Sequence, residues 1–361
     1  MALGWKCGGP VVVAMAAVAI ATGCASLTFP TVTANYYMSG PESGLTVLDI
    51  FPVADRDAPL AAMEESMMRL ELGQYRESRD VALRGLEWVD GGPGAPRDLF
   101  TGESFERVWL ATVAMLDSLA QQETEPAAED AGRVLERIRS SGCKACGFAF
   151  SRWVAALALA DAGRLEEARG ALADALHAAP GRTVLLPELA RLGGLPGLSE
   201  GFQVLPGPDL ESLATHRPRE LVVLLLLGAG PDKVVAGEDG SNAASPPRVR
   251  FVASTDSSAA SGVVVIGNSE VHPAVVLTDM AELAETSLEA RLSGGGSEDH
   301  DLRRWSTLPA TCQVARVVLS QATPSVALAL VDRDGVMVWY EDLELPPQWG
   351  AGPLFVVRRQ P

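Results

Sequence analysis

Lysine is nearly absent: the 361-residue chain holds only Lys6, Lys144 and Lys233. Walker-type phosphate loops and Schiff-base catalysis need a placed lysine, so these chemistries have almost no candidates. Histidine is also scarce, with His177, His216, His272 and His300 unpaired along the sequence, and no zinc site is expected. The 29 basic residues are outnumbered by 46 acidic ones, giving a formal charge of −17. That balance argues against nucleic acid as a partner, because neutralising phosphates takes a positive face. No apolar run reaches the roughly 20 residues of a membrane-spanning helix.

What is present starts with an address. Lys6 precedes an unbroken apolar run from Val11 to Ala21, the length of a secretory signal core. It ends in Ala21-Thr22-Gly23-Cys24, which resembles the lipobox of bacterial lipoproteins. The resemblance implies cleavage after residue 23, a diacylglycerol on the Cys24 sulfur and, with Ala25 following, lipid anchoring on the periplasmic face of the outer membrane. More than one acyl chain makes such attachment stable. Residues 1–23 are therefore expected to be a signal peptide and 24–50, which includes a Ser/Thr/Pro/Gly-rich stretch, a tether. The mature chain has 361 − 23 = 338 residues.

Residues 51–200 read as helical. Phe150 to Gly181 places Ala156, Gly163, Ala168, Ala175 and Pro180 at the small-residue, turn and terminator positions of a tetratricopeptide unit. Leu72-Gly73-Gln74-Tyr75 is a degenerate second match, and two further helical patterns lie between, so three helix pairs are expected. Such an array offers a concave groove for a peptide or partner helix. Phe150, Trp153, Leu157 and Ala160 are its candidate lining, the alternative being that they pack against the preceding helix.

Residues 201–361 read as β-rich and sandwich-like, with one helix. Leu221 to Leu227 is continuously apolar, as in a strand buried on both faces. Further strands are expected at 248–253, 263–266, 312–319, 326–331, 336–340 and 354–357, with Asp332-Arg333-Asp334-Gly335 as a hairpin turn. Asp279 with Glu282 forms a capping box for the helix. The fold class is thus α+β.

Several motifs invite chemistry. Gly197-Leu198-Ser199-Glu200-Gly201 matches a nucleophile elbow in pattern but lacks its strand and helix. Cys143-Lys144-Ala145-Cys146 fits a local disulfide in an oxidising compartment; the rival reading is a thiol-redox centre. Cys312 reads as a buried free thiol. His300 between two aspartates reads as a solvated loop, and Asp332 and Asp334 as turn residues without the other ligands of a calcium loop.

Glu220 to Lys233, the helix opened by Thr278-Asp279, the run Asp301 to Ala310 (DLRRWSTLPA), Gln313 to Arg316 and Phe105-Glu106-Arg107 together resemble a group of uncharacterised bacterial envelope lipoproteins. Their plan is tetratricopeptide-like helices followed by a C-terminal β domain. The resemblance implies no enzymatic activity, catalytic residue, metal or cofactor beyond the Cys24 lipid. It implies a scaffold or adaptor for envelope proteins, in cell-wall or outer-membrane biogenesis.

Overall fold

The structure is a computed structural model, which describes residues 28–51, 53–91, 99–143, 146–178, 220–236, 248–252, 261–266, 270–293, 303–319, 323–332, 334–346 and 353–360. Cys24, the Gly197–Gly201 motif and His300 lie outside them.

Helix α1 (Thr28–Ser39) and α2 (Pro41–Ile50) come first. Both fall within the stretch expected to be a tether, which corrects that boundary. Val32, Tyr36 and Val47 pack with Met68 of the next helix into a small core, and burying those apolar side chains is what holds the segment as packed helix.

Three antiparallel helix pairs follow: α3 (Ala58–Glu71) with α4 (Tyr75–Val89), α5 (Ser104–Ala120) with α6 (Thr124–Ser140), and α7 (Ala149–Asp161) with α8 (Leu165–Ala178). Each helix packs on the next, and α3, α5 and α7 also touch in series, the stacking of a tetratricopeptide-like array. The intra-pair turns share one geometry. Gly73 (φ 71°) and Gly163 (φ 76°) adopt the left-handed conformation that ends a helix, and Gln122 (φ 59°) does so in the middle pair. In each, the amide of the next residue reaches a carbonyl five residues back: Gln74 to Arg69, Glu123 to Ser118 and Arg164 to Leu159. Asp130 of α6 ties neighbouring helices together, accepting from Arg79 Nε at 2.8 Å and Ser118 Oγ at 2.9 Å.

The second half is built on two four-stranded sheets. Strands β1 (Glu220–Leu227), β6 (Val275–Asp279), β7 (Thr311–Val318) and β10 (Leu354–Gln360) form one, in the order β10-β1-β7-β6, with β1 and β10 parallel. Strands β4 (Ser261–Ile266), β5 (Glu270–Pro273), β8 (Ser325–Val331) and β9 (Met337–Glu344) form the other, antiparallel, in the order β5-β4-β8-β9. Strands β2 (Asp232–Ala236) and β3 (Arg248–Val252) pair separately. Helix α9 (Met280–Ser293) follows β6, and Asp279 Oδ1 accepts from the amides of Ala281 and Glu282.

Strand β1 explains its own composition. Leu221, Val223, Leu225 and Leu227 join the core between the sheets, whereas Val222, Leu224 and Leu226 join the core shared with the helices. A strand alternates its side chains between faces, and here both faces are dry. The result is three layers: helices, first sheet, second sheet. Gly262 lets β4 cross tightly over β1, since a Cβ there would lie 2.0 Å from Leu225 Cδ1.

Candidate interaction site

The four residues expected to line a groove lie together on α7 but do not face open space. Phe150 and Trp153 are 0% exposed and Leu157 4%; Ala160 alone is partly exposed. Phe150 packs on Trp109 of α5, with ring centroids 5.7 Å apart, and its amide donates to Thr278 Oγ1 of β6 at 3.3 Å. The groove expectation is therefore corrected. The face formed by α3, α5 and α7 is filled by the chain's own first sheet, α9 and the segment 303–308, because the even-numbered apolar residues of β1 need a partner layer.

Two buried glutamates fix this closure. Glu64 of α3 accepts from Ser306 N at 2.6 Å, Ser306 Oγ at 2.6 Å and Thr307 N at 3.0 Å. Glu106 of α5 accepts from Trp305 N at 2.9 Å and Glu103 N at 2.6 Å. Trp305, 1% exposed, is locked by its Nε1 donating to Thr307 Oγ1 at 2.8 Å. Helix α1 joins in, with Tyr37 Oη donating to the Ser306 carbonyl at 2.8 Å. Burial pushes the Glu106 carboxyl up to about 7, against the opposing effect of its two backbone donors. Glu64 is also raised, again by burial first. Trp305 of the DLRRWSTLPA run and Glu106 of Phe105-Glu106-Arg107 thus meet at one joint.

Cys143 and Cys146 form a disulfide with Cα atoms 5.2 Å apart. They are 5% and 1% exposed, and exchange requires an attacking thiolate to reach a sulfur, so this burial disfavours the redox reading. Cys312 is a free, buried thiol on β7, and burial raises its pKa well above the usual range. Among the described residues, no group of three or more His, Cys, Asp or Glu side chains is placed to hold a metal, and no helix is long and apolar enough to cross a membrane.

The surface suited to a partner lies elsewhere, on the outer face of the second sheet. Register places Pro273, Val263, Ala329 and Tyr340 in one cross-strand row and Val271, Val265, Ala327 and Asp342 in the next. Their neighbours one position along, such as Val264, Leu328 and Trp339, turn inward to the sandwich core. Val271, Val338 and Tyr340 are 56%, 55% and 50% exposed, and Val336 and Met337, where the turn enters β9, are 58% and 59%. Exposed acidic residues rim the patch: Glu270, Asp334, Asp342 and Glu344. Both end strands of this sheet, β5 and β9, leave an edge without a neighbour among the described strands. Sequence reading missed the surface because it did not recognise β5; the alternating Val263 and Val265, which face Pro273 and Val271, were the available signal.

A tetratricopeptide-like helical array sealed by a two-sheet β sandwich, three layers in an α+β fold, is the class of protein that this geometry defines. No family model and no curated protein matches the chain. Among solved structures, MamA from Desulfovibrio magneticus RS-1 is similar at 14% identity and a TM-score of 0.37, covering 47% of this chain and 83% of that one. MamA of strain AMB-1 gives 17%, 0.36, 50% and 94%, respectively. Likeness at this level says nothing of partner or activity.

Proposed function

We propose that the protein is a non-enzymatic scaffold or adaptor, lipid-anchored through Cys24 on the periplasmic face of the outer membrane, which binds an envelope protein in cell-wall or outer-membrane biogenesis. The observation that carries the binding role is the exposed apolar face of the second sheet. Exposed apolar side chains gathered on one sheet face and rimmed by polar groups suit a protein-interaction site. The acidic rim favours a partner with an apolar centre and basic flanks, and the open edges of β5 and β9 suit addition of a strand. The sealed helical array serves as the rigid backing of that surface.

The test is in-cell photocrosslinking from position 338, read in membrane fractions. A discrete adduct that Tyr340→Lys and Val271→Lys abolish, with folding intact, is expected. Cys24→Ala should move the protein from the membrane to the soluble fraction. Adducts arising only from the helices would overturn the assignment of the surface, and membrane retention of Cys24→Ala would overturn the anchor.

A further inference from the structure

A cavity of about 430 Å³ opens where the N-terminus of α5, the turn after α6, β2 and α9 meet. Its charged lining comprises Arg107, Lys233, Arg291 and Glu103, which is three cations against one carboxylate in a chain of charge −17. Lys233 Nζ donates to Glu103 Oε1 at 2.9 Å, with the two side chains 4% and 8% exposed, and so neutralises it. Arg291 lies 3.6 Å from the same oxygen and has a buried Nε without a hydrogen-bond partner. Arg107 makes no side-chain hydrogen bond or ion pair with the described residues; burial, followed by repulsion from Arg137, lowers its pKa against the attraction of Glu103, Asp90 and Glu106.

Three cations therefore line this cleft with one carboxylate, Glu103, which Lys233 and Arg291 share; Arg107 is held only by the longer-range attraction of Glu103, Asp90 and Glu106. Bringing like charges together in a partly buried place is unfavourable unless an anion enters. Hydroxyl-bearing residues complete the lining: Thr101, Ser141, and Ser104 and Ser287, whose hydroxyls bond each other at 2.6 Å, beside the N-terminus of α5 capped by Glu103 and Glu106.

We propose that this cavity is a binding site for a doubly charged oxyanion of the phosphate-monoester class, held in a fork between Arg107 and Arg291. A phosphate monoester carries about −1.5 to −2 charges near neutral pH, matching the excess of two positive charges among the lining side chains, and planar guanidinium forks suit its oxygens. The cavity exceeds the size of the phosphate group alone, leaving room for its organic substituent. This site is on the far side of the first sheet from the apolar face and does not depend on it.

The test is calorimetric titration of the full chain in detergent with glycerol 2-phosphate and inorganic phosphate, with chloride and succinate as comparison anions. Saturable one-site binding of the monoester is expected, tighter than that of succinate. Arg291→Gln and Arg107→Gln should each weaken it about tenfold, and the double variant should abolish it without altering the melting transition. Absence of saturable binding by the wild type overturns the site. So does binding that survives in the double variant, and tighter binding of succinate overturns the monoester class.

Discussion

At the scale of single residues, Glu64 and Glu106 carry the joint between helices and sheet. Each sits on the inward stripe of its helix: Glu64 between Leu60, Met63 and Met67, and Glu106 beside Phe105 and Trp109. A carboxylate on an apolar stripe was legible in the sequence as an anomaly. What it holds was not, because Ser306 is 242 residues from Glu64. The Glu106 shift has a sign that can be checked. Its carboxyl is raised from 4.5 to about 7 in the folded chain, so between those values the folded protein keeps a proton that the unfolded chain releases. Its contribution to stability is full below 4.5 and is lost as pH rises to about 7. Glu64, Glu71 and Asp117 are shifted in the same direction by burial. Urea unfolding across this window should show stability falling with pH, and Glu106→Gln should flatten the slope by one proton while costing about 1–3 kcal/mol for the acceptor it loses.

At the scale of elements, the three helix turns share a backbone that two of them fill with glycine. Periodicity and the Gly163 signature made the outer pairs readable. The middle turn carried no such letter, because Gln122 occupies the left-handed position at φ 59°. A side chain there costs roughly 1–2 kcal/mol. Gln122→Gly is accordingly expected to raise stability by about 1 kcal/mol, and Gly73→Ala, in open space but at φ 71°, to lower it by a similar amount. Thermal melts of the two variants, moving in opposite directions, would check this; parallel shifts would contradict it. Among the strands, all were legible, including β3, itself only five residues, but for β2, β5 and β6. Those three are short, five residues or fewer, and draw their order from paired neighbours more than from their own pattern.

At the scale of the whole molecule, the sequence divides where the structure does not. Composition changes near residue 200, which reads as a boundary between two domains, yet one apolar core runs from Leu60 of α3 through Phe150 to Leu224 and Phe355. Local patterning shows what each segment is; only the assembled chain shows that the inward face of the helices and the first sheet are each other's cover. A fragment of residues 28–178 should therefore lack a cooperative unfolding transition and bind an apolar dye, and regain the transition when co-expressed with 179–361. An independently cooperative helical fragment would refute the shared core. The packed start of α1 bears on how a lipid at Cys24 would hold the molecule. From Cys24 to Thr28 the chain spans four residues, at most about 14 Å when extended. A lipid at Cys24 would thus moor the body on a short line, with little freedom to swing. The height and heading of the apolar sheet above the bilayer would then be set by the fold itself, and only partners presenting a segment at that level could meet it.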